Sequence, residues 1–374
     1  MMLLALVPLV VWTYLLVGRG MFWRMRERDD CQAAQTPARW PSVVAIVPAR
    51  DEADVIERTL ASLLAQDYPG FFRIILVDDR SSDQTSAVAQ SLDKRLEIIS
   101  GERRPPGWTG KVWAMNQGFA RVRETDAPDY VLFTDADIAH HRDNLRQLVI
   151  RAEGRRLVLV SLMAKLHCES FPEKLLIPAF VFFFAMLFPF SWANDRTRAT
   201  AAAAGGCMLV RRDALIAAGG LEVIASALID DCALARILKR QGPIWLGLTR
   251  RSLSIRPYEG AGEIGRMVAR SAYAQLGYSP ALLCGTVLGM MVVYTSPPLL
   301  AILAHGVPRI EAALCWVVLA AVYQPILRFY RLSPLWGLAL PVIGAIYAGF
   351  TVDSAVQHWR GRGGLWKGRA QAPA

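Results

Sequence analysis

Three regimes of hydrophobic patterning follow one another along the chain. Residues 1–17 are uncharged and almost wholly apolar, and Arg19, Arg24, Arg26 and Arg28 come directly after them. A cleaved leader would carry basic residues before its apolar run and small residues at its end. The order here instead predicts a retained membrane anchor over 1–18, its carboxyl end on the cytoplasmic side. Residues 29–41, polar and punctuated by Pro37 and Pro41, read as the end of a linker covering 19–41.

In the second regime, short buried-type strands alternate with helical stripes. Ser42–Pro48, Arg73–Asp79 and Leu96–Ile99 are strand-like apolar runs. Between them, Asp54–Ala65 puts Val55, Ile56, Leu60, Leu63 and Leu64 on a helical stripe, and Ser81–Thr85 caps a helix to about Leu92. A helix over 112–122 follows, then a strand over Tyr130–Asp137, another over Leu157–Leu166 and a small-residue strand over Ala201–Val210. Helices are expected over Arg212–Ala218, ended by Gly219-Gly220, and over Cys232–Arg240, opened by Leu228–Asp231. Strand, helix, strand, helix and strand in this order predict an α/β fold with a doubly wound, mostly parallel sheet. Its acid-bearing loops open on one edge.

The third regime begins at 279. Ala281–Ala304, Ala312–Leu327 and Leu332–Val352 lack charge and read as three membrane helices, the first interrupted by Pro297-Pro298 and the second short. A basic tail follows over 356–374. One anchor and three later spans would leave that tail opposite a cytoplasmic domain, against the positive-inside bias. One late segment is therefore expected to be re-entrant or interfacial. Residues 175–192, very apolar but broken by Pro178 and Pro189, are expected not to cross, because acids proposed for one site lie on both sides of them. They read either as an interfacial wall on the acceptor side or as a buried core helix.

Composition supports a membrane-associated protein. Of 374 residues 53% are hydrophobic, and the mean hydropathy is +0.28. The net charge of +10 is concentrated near the apolar segments, and no stretch interleaves basic and aromatic residues as nucleic-acid-binding motifs do. Nucleic acid is thus excluded as a partner. The six cysteines, Cys31, Cys168, Cys207, Cys232, Cys284 and Cys315, form no CxxC pair and read as reduced thiols.

The chemistry centres on Asp135 and Asp137, at i and i+2 where an apolar strand ends. Strand alternation would point both carboxylates the same way at the sheet edge where α/β proteins bind ligands. Two hard oxygen ligands with open positions suit a divalent cation that also holds a diphosphate. Lys111, at a helix start beside Gly110, suits a phosphate. The alternative for Asp79 and Asp83 is helix capping, and for Asp231 an N-cap role. His140-His141 follows the acid pair and could supply a ligand, although a loop pair is more often solvated.

Pro48-Ala49-Arg50-Asp51-Glu52, Val77–Thr85, Gly110-Lys111 with Asn116, Asp135-Ala136-Asp137 and Ile229-Asp230-Asp231 occur here in an order that resembles the inverting family 2 glycosyltransferases of GT-A fold. The membrane-flanked layout and Gly107–Lys111 are similar to a narrower group, the hopanoid-biosynthesis-associated glycosyltransferases. The resemblance implies a glycosyltransferase domain over 42–278, flanked by transmembrane helices over 279–355. It implies a nucleotide-sugar site using Pro48, Arg50, Asp51, Glu52, Asp79, Lys111, Asn116, Asp135 and Arg270, with Asp51 and Asp79 on the uridine. Asp135 and Asp137 would hold Mg²⁺ or Mn²⁺. Asp231 matches the catalytic base, and Asp230 stands where the family usually has glutamate. Met267-Val268-Ala269-Arg270-Ser271 keeps only the arginine of the Gln-x-x-Arg-Trp element found in processive synthases, which argues for transfer of a single sugar.

The expected enzyme is a multi-pass protein of the inner (cytoplasmic) membrane, its catalytic domain cytoplasmic. It would move a sugar from a UDP-sugar to a lipid, a hopanoid or other polyisoprenoid. Three alternatives stay open. Transfer to polyprenyl phosphate would need no base. A silent scaffold of lipid-modifying enzymes would have no need of these acids. A nucleotidyltransferase would show a Gly-rich loop after the first strand, which Pro48–Asp51 is not.

Overall fold

A computed structural model describes residues 2–30, 36–125, 127–366 and 369–370. Helix α1 (Met2–Gly18) leads to β1 (Val43–Ala49), α2 (Ile56–Leu64), β2 (Phe72–Asp78), α3 (Thr85–Leu92), β3 (Leu96–Ser100) and α4 (Gly110–Thr125). Then come β4 (Tyr130–Thr134), β5 (Ile138–His140), α5 (Asn144–Arg155), β6 (Leu159–Lys165), α6 (Phe171–Leu187) and α7 (Phe190–Asn194). β7 (Cys207–Arg211), α8 (Arg212–Ala217), α9 (Asp230–Lys239), β8 (Ile244–Ser254) and α10 (Ala261–Gln275) complete the α/β part. Helices α11 (Pro280–Met290), α12 (Ser296–Leu303), α13 (Val307–Val322), α14 (Gln324–Tyr330) and α15 (Leu340–Trp359) follow.

The eight strands form one mixed sheet in the order β3-β2-β1-β4-β7-β6-β8-β5. The β3-β2-β1-β4 half is parallel, as the sequence pattern predicts, and β1 is buried along its whole length. β7 then runs antiparallel to both β4 and β6, and β5 antiparallel to β8. Regions 138–155 and 241–278, to which the sequence pattern assigns no element, fold as β5, α5, β8 and α10. Two strand expectations are corrected. The small-residue strand begins at Cys207 and not at Ala201, because Ser161 Oγ both accepts from Ala204 N–H (2.8 Å) and donates to Ala204 O (3.2 Å), holding 201–206 off the ladder. β4 ends at Thr134, so Asp135-Ala136-Asp137 is a turn into β5.

The polar segment after the anchor is not wholly a free linker. Asp29 N–H donates to Leu248 O (3.1 Å), its carboxylate pairs with Arg251 at 3.2 Å, and it accepts from Thr249 Oγ1. Cys31 and residues 371–374 of the tail lie outside the described residues. The other five cysteines are free thiols.

Residues 175–192 fall mostly on helix α6, which is buried along much of one side and lines a cavity with Phe180 and Phe184. Leu176, Ile177, Val181 and Phe182 are at most 1% exposed. It shares one hydrophobic cluster with Leu246 and Leu248 of β8 and with Trp12, Tyr323, Ile343 and Tyr347 of the apolar helices. Among the described residues three helical segments are long and apolar enough to cross a membrane, by length and composition: Pro280–Leu303, Val307–Tyr330 and Pro334–Trp359. The second runs 24 residues, longer than its uncharged run, because the helix continues through Arg309, Glu311 and Arg328. In the first, a π-helical turn over Met291–Thr295 precedes Pro297-Pro298, whose missing N–H groups disrupt the regular ladder.

Candidate active site

The carboxyl ends of β1, β4, β6 and β8 and the amino end of β7 meet over one cavity of about 380 Å³. Pro48 lies near the end of β1 and Glu52 follows it, the Asp135–Ile138 turn follows β4, Met163 to Leu166 end β6, and Ser254 ends β8 with Arg256 and Tyr258 just past it. The antiparallel register pairs Thr134 with Cys207, which brings the Gly205-Gly206 turn against the Asp135 turn. Thr134 Oγ1 donates to Gly206 O at 2.8 Å and fixes the two together.

Lys111, at the start of α4, lies 2.7 Å from Asp135 Oδ1 and 3.5 Å from Asp230 Oδ2. Burial works against its charge, but Asp135, Asp230 and Asp231 outweigh it and raise the ammonium pKa. Asp231, at the start of α9, accepts from Gly205 N–H (2.9 Å) on Oδ2 and Cys232 N–H (2.7 Å) on Oδ1. Burial, then the neighbouring Asp230, raise its pKa to about 6 against the opposing pull of Lys111. A Cβ at position 205 would stand 3.0 Å from Lys111 Nζ and 3.5 Å from Asp231 Oδ2. The absence of a side chain there is what lets the Lys111 ammonium and the Asp231 carboxylate share one small space.

On the other side, Arg256 pairs with Glu52, with Asp54 at 3.3 Å and with Asp137 at 3.7 Å. The strap bearing it is tied to α6. Glu173, 1% exposed, accepts from Tyr258 N–H (2.9 Å), His167 Nδ1 (2.7 Å) and the N–H groups of Glu169 and Ser170 (2.8 Å each). Burial alone would raise its pKa; these donors outweigh it and hold it down, to about 2.

Several expected site residues therefore meet in one cavity: Pro48, Glu52, Lys111, Asp135, Asp137, Asp231 and Arg270, with Asp230 bound to Lys111 behind them. Arg50, Asp51 and Asp79 do not line it. They stand further along the sheet edge, where Arg50 Nη1 donates to Asp79 O (2.6 Å) and Arg80 O (2.9 Å). Asp51 accepts from Ser82 N–H at 2.6 Å, and Asp79 is fully buried. Asp83, just before α3, accepts from Thr85 N–H at 2.9 Å and from Ala53 N–H at 3.0 Å, so it ties the start of that helix to the loop after β1. Asn116, well down α4 from Lys111, is outside the cavity.

The histidine pair separates, because β5 pairs with β8 in a contact invisible to local pattern. His140 is buried, its ring within 2.8 Å of Thr134 Oγ1 and 3.1 Å of Ser252 Oγ, and burial lowers its pKa to about 4. His141 pairs with Asp143 at 2.6 Å on the surface. Neither joins the acids. Arg256, Tyr258 and Met163 enter the site without any motif to mark them; the one cue to Arg256 is its place just past a strand's carboxyl end.

Among the described residues no group of three or more His, Cys, Asp or Glu converges as a closed metal cage. Asp135 and Asp137 nonetheless face one cavity as two hard oxygen donors, each offset by a protein cation. That donor set would suit a divalent cation with coordination positions left open. Beyond the acids, the cavity wall turns apolar through Met163, Leu166, Phe180, Phe184 and Met267.

This sheet, with an acid-bearing turn at its centre, is of the GT-A type. Residues 44–219 match the family model described as glycosyl transferase family 2, so the chain carries a family 2 glycosyltransferase domain. It is 35% identical over 137 residues to an amylovoran biosynthesis glycosyltransferase of Erwinia amylovora, covering 34% of this chain and 42% of that one. It is 33% identical over 112 residues to beta-monoglucosyldiacylglycerol synthase of Synechocystis, covering 29% and 22%. A 4,4'-diaponeurosporenoate glycosyltransferase of Staphylococcus haemolyticus is 23% identical over 143 residues, covering 38% and 35%. These matches span less than half the length of the curated relatives. A solved mannosyltransferase from Pyrobaculum calidifontis, in complex with GDP-Man and Mn²⁺, shares the fold at a TM-score of 0.54 and 20% identity, covering 95% of this chain and 99% of that one.

Proposed function

We propose that the chain is a membrane-bound, metal-dependent inverting glycosyltransferase that moves one sugar from a nucleotide-sugar to a lipid hydroxyl. One observation carries this reading: a single cavity is lined both by Asp135, Asp137, Lys111 and Asp231 and by apolar Phe180, Phe184, Met163, Leu166 and Met267. A soluble acceptor would have no need of that apolar lining. The names of the Synechocystis and Staphylococcus relatives, which specify a diacylglycerol and a carotenoid-type acid, agree with a lipid acceptor.

In this mechanism Asp231 takes the proton of the acceptor hydroxyl as that oxygen attacks the anomeric carbon from the face opposite the leaving group. The two N–H groups on its carboxylate fix its direction, and its raised pKa brings it closer to the working pH, where a base is most effective. Lys111 turns from Asp135 to the departing diphosphate. Asp135 and Asp137 would hold the divalent cation, which would supply Lewis-acid screening of the nucleoside diphosphate. Arg256 and Arg270 add positive charge around the same phosphates. Asp51 and Asp79, with Arg50 bracing their loops, serve the base and ribose, and UDP is the nucleotide proposed. Asn116 has no role in this scheme. A hopanoid or other polyisoprenoid alcohol is the acceptor class that fits the apolar wall, and the inner membrane the location.

Calorimetric titration of the detergent-solubilised chain with UDP, GDP and UDP-sugars, with and without Mn²⁺, tests the donor half. Metal-dependent UDP binding that is lost in Asp137→Ala is expected. Absence of nucleotide binding in every condition would remove the donor site and leave the scaffold reading.

A further inference from the structure

We propose that Pro334–Trp359, although long and apolar enough to span a bilayer, does not cross it, and that the basic tail lies on the same side as the catalytic cavity. Four contact points fix which side of the membrane each part of the chain returns to.

The first is the start of the apolar region. Tyr278 follows α10, whose Met267, Arg270 and Ser271 line the catalytic cavity, and Tyr273 Oη donates to Tyr278 O at 2.8 Å. The second is the end of α14, where Arg250 of β8 donates from Nη2 to Phe329 O at 2.8 Å. Position 279 and position 329 are therefore both on the catalytic side. The chain between them must cross an even number of times. It contains two candidate spans, Pro280–Leu303 and Val307–Tyr330. They form a hairpin whose turn, 304–306, is the far end.

The third and fourth points bracket α15. Trp336, just before it, packs on Phe171 at the start of α6, with ring centroids 5.4 Å apart. At its other end Ser354 Oγ accepts from Tyr273 N–H at 3.0 Å and donates to Ala269 O, and His358 stacks on Tyr278 at 4.3 Å. Gly363 and Gly364 share a recess with Leu228, two residues before Asp230. Between 329 and 363 the number of crossings must again be even, yet only one candidate span is present. One is odd, so α15 does not cross.

Its side chains agree. Tyr347 Oη donates to Leu176 O of α6 at 2.8 Å, and a Cβ at Gly265 of α10 would meet the Phe350 ring at 2.7 Å. α6 leaves the sheet after β6 and is brought back to it by Asn194, whose side chain bonds both Leu246 N–H (2.6 Å) and Leu246 O (2.9 Å). Asp353 is exposed on α15, a charge that hydrocarbon would penalise. With α1 as a single crossing, this arrangement returns Arg360 and Arg362 to the side of the catalytic domain. The conflict with the positive-inside bias disappears.

The test uses full-length chain in sealed vesicles that expose the catalytic domain, with a membrane-impermeant maleimide read by peptide mass. Arg198→Cys, on an exposed loop of the domain, is the reference. Arg362→Cys is expected to react with it in intact vesicles, and His305→Cys only after detergent. Arg362→Cys reacting only after detergent, or His305→Cys reacting alongside Arg198→Cys, would overturn the proposal. Trypsin on the unsubstituted chain gives an independent reading: cleavage at Arg360 or Arg362 in intact vesicles supports it, and protection of both while domain sites are cut refutes it.

Discussion

Asp231→Asn separates a lipid alcohol acceptor from a lipid phosphate. At neutral pH the wild-type carboxylate is ionised although the fold raises its pKa to about 6 from 3.8. Two units at about 1.4 kcal/mol each make this a cost to stability of about 3 kcal/mol. Because the protonated form is the one favoured in the fold, that cost is absent below about pH 4 and complete above about pH 6. Asparagine removes it. The amide oxygen still accepts one of the N–H groups of Gly205 and Cys232, while the other loses its acceptor, at about 1–2 kcal/mol. The variant should therefore be at least as stable as the wild type at pH 7.5, so that lost activity is not lost fold. Transfer to a hydroxyl lipid should drop by about 10²–10⁴, with UDP affinity unchanged within about twofold. The wild-type kcat/KM should fall about tenfold per pH unit below pH 6. Radiolabelled sugar transfer in mixed micelles across pH measures both. Retention of near wild-type transfer by Asp231→Asn would refute the base assignment and favour a phosphate acceptor, which needs none.

Glu173→Gln should lose about 3 kcal/mol at pH 7, from its fall to a pKa of about 2 from 4.5. The carboxylate's contribution is present above pH 4.5 and is lost as pH falls toward 2, so the variant's unfolding should also be flatter over that range. Lys111→Met removes the cation that holds Asp231 down. Its activity should shift its acid limb to higher pH, with UDP affinity about tenfold weaker by calorimetry, as expected for loss of a charge-assisted phosphate contact. His140→Gln, whose side chain does not line the cavity, should lower thermal stability while leaving Mn²⁺-dependent UDP binding intact; weakened metal dependence would restore the histidine to the site.

The parallel half of the sheet was legible because local pattern suffices there. Ser42–Pro48 and Arg73–Asp79 are unbroken apolar runs, and buried parallel strands read that way. That Asp135 and Asp137 come together at the sheet edge was legible too, although the reason was incomplete: a turn, and not strand alternation, puts both on the cavity. What stayed hidden depends on distant pairing. Residues 201–206 have strand-like composition, but Ser161 diverts them, and the diversion is what presents Gly205 N–H to Asp231. His140 becomes structural only through Ser252, and Arg256 reaches Glu52 only because β8 ends beside β1's loop. No window along the chain contains both partners.

The Phe180–Phe184 wall has a consequence for how the enzyme would be measured. On the proposed function one substrate is dissolved in water and the other is confined to a sheet of lipid, and the same cavity, walled in part by α6 and α10, takes both. For the second substrate, the litre is the wrong unit of concentration. What the site samples is the mole fraction of acceptor among neighbouring lipids. Adding inert detergent or lipid at constant total acceptor should therefore slow the reaction, while adding buffer should leave the dependence on acceptor unchanged.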